Sequence, residues 1–124
     1  MDNSDTCECS GTPGLVFPCS GAADVGELAD LAARKLTRDG SGQMFCLAGV
    51  GGRVKAIMDK TIAAKRITAI DGCPLDCARL TLEGAGIKDF THVRVTDLGL
   101  DKGKSPATAE AVAKVANEVK ARLP

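Results

Sequence analysis

Apolar residues recur along this chain in two rhythms, short unbroken runs and stripes at three- and four-residue spacing. Leu15-Val16-Phe17-Pro18-Cys19 is a short apolar run and predicts a first strand, with Pro18 tolerable only near its end. Val25, Leu28, Ala29, Ala32 and Leu36 then form one helical stripe, predicting a helix that begins near residues 22–24. Asp24, Glu27 and Asp30 come early in it and Arg34, Lys35 and Arg38 late, which complements the helix dipole, and Gly40 stops it. Residues 43–48 read as a second strand, and Gly49-Val50-Gly51-Gly52 as a tight turn. A second helix is predicted over 53–64, with Val54, Ile57, Met58 and Ile62 inward. Residues 66–71 form the third strand. Pro74 opens a third helix at a position where the missing N–H is harmless, with Leu75, Ala78 and Leu82 on one face. His92-Val93-Arg94-Val95-Thr96 alternates polar and apolar, as a half-exposed edge strand does. Ser105-Pro106 caps a last helix that turns Ala109, Val112, Ala113, Ala116, Val119 and Leu123 inward.

Strands alternating with helices predict an α/β fold: a three-layer α/β/α domain on a mostly parallel, roughly four-stranded sheet of order 2-1-3-4. Residues 1–14 read as a flexible tail, short, polar and ending in Thr12-Pro13-Gly14, and residues 15–124 as a single domain. Sheets of this kind bind ligands beyond the carboxyl ends of their strands, where strand order reverses.

Composition narrows the function classes. The chain has 124 residues, with 16 basic and 16 acidic side chains in balance and neither Trp nor Tyr. It therefore lacks the basic groove and stacking rings of a nucleic-acid binder. Its apolar runs are too short to span a bilayer. The acidic start, Met1-Asp2-Asn3-Ser4-Asp5-Thr6, does not read as a signal peptide, so the cytoplasm is the expected compartment. Six cysteines in such a chain point to metal ligands or redox thiols rather than structural disulfides.

Three of those cysteines are evenly spaced, Cys19 to Cys46 and Cys46 to Cys73 each being 27 positions. That interval is about one strand, one helix and their turns. Equal spacing predicts three thiols at the same level of successive parallel strands. Cys77 follows Cys73 by one helical turn and would share its face. Cys19, Cys46, Cys73 and Cys77 are thus the candidate ligands of one soft metal ion, foremost Zn²⁺, with the helix N-termini offsetting thiolate charge. Such a closed set belongs to a metal-binding protein rather than an enzyme. Two alternatives stay open: a dithiol–disulfide pair at Cys73 and Cys77, and an iron–sulfur cluster, which four thiolates also suit. Cys7 and Cys9 form a separate Cys-x-Cys pair on the tail.

The run Ala69-Ile70-Asp71-Gly72-Cys73-Pro74-Leu75-Asp76-Cys77-Ala78 resembles the central signature of the DGC-domain family, named for its Asp-Gly-Cys. The resemblance extends through Cys19-Ser20-Gly21 with Asp24-Val25-Gly26, Cys46-Leu47-Ala48-Gly49 with Gly51-Gly52, and Thr96-Asp97-Leu98-Gly99 with Lys102-Gly103. It implies a zinc-binding protein without an assigned biological role, whose four chelating cysteines fall on Cys19, Cys46, Cys73 and Cys77.

Competing chemistries fit poorly. Gly49-Val50-Gly51-Gly52 with Asp71 mimics a dinucleotide fingerprint, but Val54 stands at the third glycine position. A phosphatase-like loop needs an arginine after its nucleophile, whereas Cys19 is followed by Ser20, Gly21, Ala22, Ala23 and Asp24. His92, the single histidine, is expected as an exposed edge residue away from the carboxyl ends, and Asp24 and Asp97 as helix caps.

Overall fold

The computed structural model describes residues 14–123. The expected tail, apart from Gly14, and its Cys7–Cys9 pair lie outside the described residues. Strand β1 (Leu15–Pro18), helix α1 (Asp24–Arg38), strand β2 (Gln43–Met44), helices α2 (Leu47–Gly51) and α3 (Lys55–Ala63) and strand β3 (Ile67–Asp71) form the first half. Helix α4 (Cys77–Gly84), strand β4 (Thr91–Arg94), a 3₁₀ turn at Val95–Leu98 and helix α5 (Ala109–Arg122) complete the chain. The strands make one parallel sheet in the order β2-β1-β3-β4, the α/β architecture that the alternation predicts.

Side chains of a strand alternate between faces, and the two faces of this sheet bury different helices. Val16, Ile70 and Val93 pack with Leu28, Ala32 and Leu36 of α1 and Val115 and Val119 of α5. Leu15, Phe17, Ile67 and Ala69 point the other way, onto Val50 of α2 and Ala78 and Leu82 of α4. Ile57 and Met58 of α3 close that side. Each fully buried leucine, isoleucine or phenylalanine contributes about 1.5–3 kcal/mol by leaving water, so both clusters stabilise the sheet without help from a ligand.

Three elements depart from the sequence reading. The second strand is only Gln43–Met44, because Cys46 ends it as the N-cap of α2, its sulfur accepting from the Gly49 N–H at 3.3 Å. The Gly-rich stretch is therefore helix, not turn. The predicted helix over 53–64 breaks at its start, where Arg53 adopts φ +58°, and α3 runs Lys55–Ala63. Val54 and Ile62 are exposed at 50% and 65%, and Thr61 is buried in their place, its hydroxyl donating to the Ile57 carbonyl. The third helix starts at Cys77 rather than Pro74, since Asp76 holds the left-handed conformation at φ +54°. Leu75 is accordingly exposed.

The carboxyl edge follows from these turns. Gly26 packs on the turn after β1, where a Cβ would meet the Gly21 carbonyl oxygen at 2.6 Å. A Cβ on Gly72 would lie 2.7 Å from the carbonyl carbon of Val25. The absence of two side chains lets the β1–α1 turn and the β3–α4 turn touch backbone to backbone.

Candidate metal centre

Cys19 stands immediately after β1, half-buried against both apolar clusters. The Gly72 N–H donates to its sulfur at 3.4 Å, joining the two glycine-packed turns. Burial raises the Cys19 pKa, opposed by the N–H groups of Gly21 and Gly72, and the charges of Asp71 and Cys77 raise it further. Cys73 follows β3 in the adjoining turn, half-buried, with the Lys102 ammonium 3.7 Å from its sulfur. Cys46 caps α2, and Cys77 is the first residue of α4; both are exposed. Cys73 precedes the helix instead of opening it, so it and Cys77 do not share a helix face as the spacing suggested. All four are free thiols.

The four thiols thus occupy three neighbouring turns at one edge of the sheet, but they do not stand as a tetrahedron. Among the described residues no three of their sulfurs lie within 4.8 Å of one another, whereas sulfurs around a tetrahedral zinc stand ~3.8 Å apart. The donor set suits a soft ion, and Cys19 and Cys46 each accept from a backbone N–H; loading would require the four sulfurs to close to that spacing.

Strained backbone sits at the same turns. Ser20, directly after Cys19, has φ +53°, and Asp76, directly before Cys77, has φ +54°. Left-handed conformations cost a non-glycine residue on the order of 1–2 kcal/mol, so neighbouring bonds must hold them. At Asp76 those bonds are plain. Arg94 Nε donates to its Oδ1 at 2.8 Å and Arg94 Nη2 to Oδ2 at 2.6 Å, a bidentate pair, and Arg79 adds two further donors to Oδ2. These bonds to Arg94 hold the Asp76 carboxyl below the ordinary carboxylate range.

Asp71, His92 and Asp76 are the one compact group of potential ligands among the described residues. Its lone pairs are already used. Asp71, 1% exposed, accepts from the Ala78 N–H at 2.6 Å, the Arg79 N–H at 3.0 Å and His92 Nε2 at 2.8 Å. Asp76 is saturated by arginine. An ion there would have to displace Arg94 from a bidentate pair, and as it stands the group braces the Cys73–Cys77 turn. His92 is thus not the free edge residue expected from its place in the strand: its side chain is 20% exposed and tied to Asp71. Sequence reasoning missed the network because its partners lie 18 to 21 residues apart. The available signal was register, since Asp71 pairs with Arg94 across β3 and β4 and the alternate residue His92 shares that face.

Asp24 is the first residue of α1 and not its N-cap, though its Oδ1 accepts from the Val25 N–H at 2.8 Å, and Asp97 lies within the 3₁₀ turn without capping it. Asp24 accepts from Gly103 N at 2.8 Å and Ser105 N at 2.9 Å, which lowers its pKa, and Asp97 pairs with Arg94. The last helix is capped by Thr108, and Ser105 instead accepts from the Asp101 N–H. Beside the edge, Thr96 donates its N–H to Gly72 while its buried hydroxyl has no partner among the described residues.

Comparison with known proteins bears on this edge. No solved structure matches the chain. A protein of Pseudomonas aeruginosa named anaerobic and virulence modulator AnvM is 36% identical over 88 residues, covering 71% of this chain and 67% of its own length. No helix among the described residues is long and apolar enough to cross a membrane. The model of the DGC domain matches residues 15–119, spanning every strand and all four thiols of the edge, and the chain belongs to the DGC domain family.

Proposed function

We propose that this protein binds one soft metal ion, Zn²⁺ foremost, through the thiolates of Cys19, Cys46, Cys73 and Cys77. The observation that carries this reading is the placement of four free thiols on three adjoining turns, two of them fastened by side-chain-free glycine contacts. Cys19 and Cys73 form the half-buried base, and Cys46 and Cys77 are the exposed pair that would close over it. Helices α1, α2 and α4 begin at these turns, and their N-terminal dipoles favour negative charge there. A bound ion would cross-link the turns after β1 and β3 to the start of α2. Four sulfur ligands leave no open position for water, so the site suits binding, sensing or transfer rather than hydrolysis.

Elemental analysis of protein purified without chelator tests the proposal, with about one zinc per chain expected. Cys19→Ser, Cys46→Ser, Cys73→Ser and Cys77→Ser should each lose most of it. Full retention of zinc in any two of these variants removes the four-thiol site. Thiols that alkylate rapidly before any chelator is added would favour instead a Cys73–Cys77 redox pair, and a brown protein would favour an iron–sulfur cluster.

A further inference from the structure

The segment between the 3₁₀ turn and α5 crosses the thiol edge and is held there unusually firmly for a loop. It leaves Gly99 at φ +84° and passes Gly103 at φ +87°, both conformations natural to glycine. Across the second glycine the Lys104 N–H donates to the Asp101 carbonyl at 3.0 Å and the Asp101 N–H to Ser105 Oγ at 2.8 Å. Asp24 then accepts from the backbone of Gly103 with one oxygen and of Ser105 with the other. Asp24 opens the helix that follows Cys19, so one carboxylate pins this loop to the turn bearing a candidate ligand. The residue presented by that arrangement is Lys102, whose Nζ stands 3.7 Å from Cys73 Sγ.

We infer that Lys102 is the charge-compensating partner of the thiol site, donating a hydrogen bond to the Cys73 sulfur when the site is loaded. This role rests on the metal-binding reading above. Four thiolates around a divalent ion leave two negative charges in excess. The helix N-termini contribute only partial charges, and Lys102 is the full cation held against one of the sulfurs. A hydrogen bond to a ligating sulfur also draws electron density from it, which tunes the metal–sulfur bond. Lys104 provides an internal comparison. It lies on the same loop with the same charge, yet among the described residues its ammonium has no hydrogen-bond partner or ion pair.

The test is cobalt and zinc affinity, measured by competition with a chromophoric chelator, for wild type, Lys102→Met and Lys104→Met. Loss of an outer partner of a metal ligand costs about 10–100-fold in affinity, so Lys102→Met should weaken both metals by that factor while Lys104→Met stays within about twofold. The sulfur-to-cobalt charge-transfer band should move to lower energy in Lys102→Met, a change that a surface lysine would not produce. Asp24→Asn, which leaves one oxygen where two accept from three backbone N–H groups, should shift the same band part of the way. Equal affinities and superimposable bands for the two lysine variants would overturn the role of Lys102. A wild-type protein with no charge-transfer band at all would overturn the metal site itself and this role with it, an outcome separate from the first.

Discussion

Asp71 Oδ2 and His92 Nε2 lie 2.8 Å apart, across two neighbouring parallel strands. The same carboxylate receives two N–H groups of the first turn of α4, from Ala78 and Arg79. One buried side chain therefore fastens β3, β4 and α4 together just before the turn that carries Cys73 and Cys77. The Asp of the Asp71-Gly72-Cys73 run is a structural anchor of the thiol edge, and the Gly beside it lies against the backbone of Val25 and Gly26 with no room for a Cβ.

Replacing Asp71 by Ala should destabilise the domain by about 2–4 kcal/mol, because it strands two helix N–H groups and a histidine at once. His92→Ala leaves Asp71 its two backbone donors and should cost only about 0.5–1.5 kcal/mol. Urea unfolding followed by far-UV circular dichroism measures both. Equal losses for the two variants would show that Asp71 serves His92 alone and not α4.

Acid should act on the same turn through Asp76. Its carboxyl is held below the ordinary carboxylate range, chiefly by the hydrogen bonds from Arg94. A depressed carboxylate contributes stability that is fully present above the unfolded pKa and is lost as pH falls through the folded one. Stability should therefore be flat with respect to Asp76 from pH 7 to about 5 and decline below about 4. Arg94→Gln removes the bidentate partner and should make that acid limb shallower while lowering stability at neutral pH. An unchanged acid limb in Arg94→Gln would show that other carboxylates govern it.

The fold was legible in the sequence where side-chain periodicity alone decides it. The stripe from Val25 to Leu36 and the apolar runs at 15–19 and 66–71 declared their elements, and right-handed crossovers about a central first strand predicted the order 2-1-3-4. The reading failed where a local bond overrides the pattern. Cys46 read as part of a strand over 43–48 because apolar residues surround it, but its sulfur caps a helix. Pro74 looked like a helix start, but the charge pair of Asp76 with Arg94, invisible at a separation of 18 residues, holds a left-handed residue that delays the helix to Cys77. Ile62 looked like core by its spacing, yet the break at Arg53 rotates α3 so that Thr61 faces in. The candidate cysteines were legible as positions at one edge. Their side-chain spread was not, since periodicity says nothing of rotamers.

The glycines give a test that separates tight packing from mere flexibility. Gly72→Ala would drive a Cβ into the backbone of Val25 and Gly26, neither of which can swing aside as a side-chain tip can. It should destabilise by about 1–3 kcal/mol and weaken whatever the edge binds. Gly51→Ala meets only the Thr81 methyl at 3.7 Å and lies in the last turn of α2, so it should be neutral or stabilising by up to about 1 kcal/mol. A Gly72→Ala protein as stable as wild type would mean that the two turns are not in rigid contact.

Removal of the proposed metal should loosen the edge while leaving the domain folded. In zinc-finger peptides, which have almost no core, structural zinc supplies ~10–16 kcal/mol and its loss unfolds the chain. This domain instead buries Val16, Leu28, Leu36 and Ile70 with α5 on one face of the sheet, and Phe17, Val50 and Leu82 on the other. None of those contacts passes through a thiol. Chelated protein should therefore keep most of its far-UV helical signal, while amide exchange rises at residues 19–24, 46–53 and 71–78. Exchange in the middle of α1, where Leu28, Ala29, Ala32 and Leu36 are fully buried, should stay slow. A random-coil spectrum on chelation would show that the apolar clusters cannot hold the sheet alone. Unchanged exchange at all three turns, in protein shown to have lost its metal, would place that metal somewhere other than this edge.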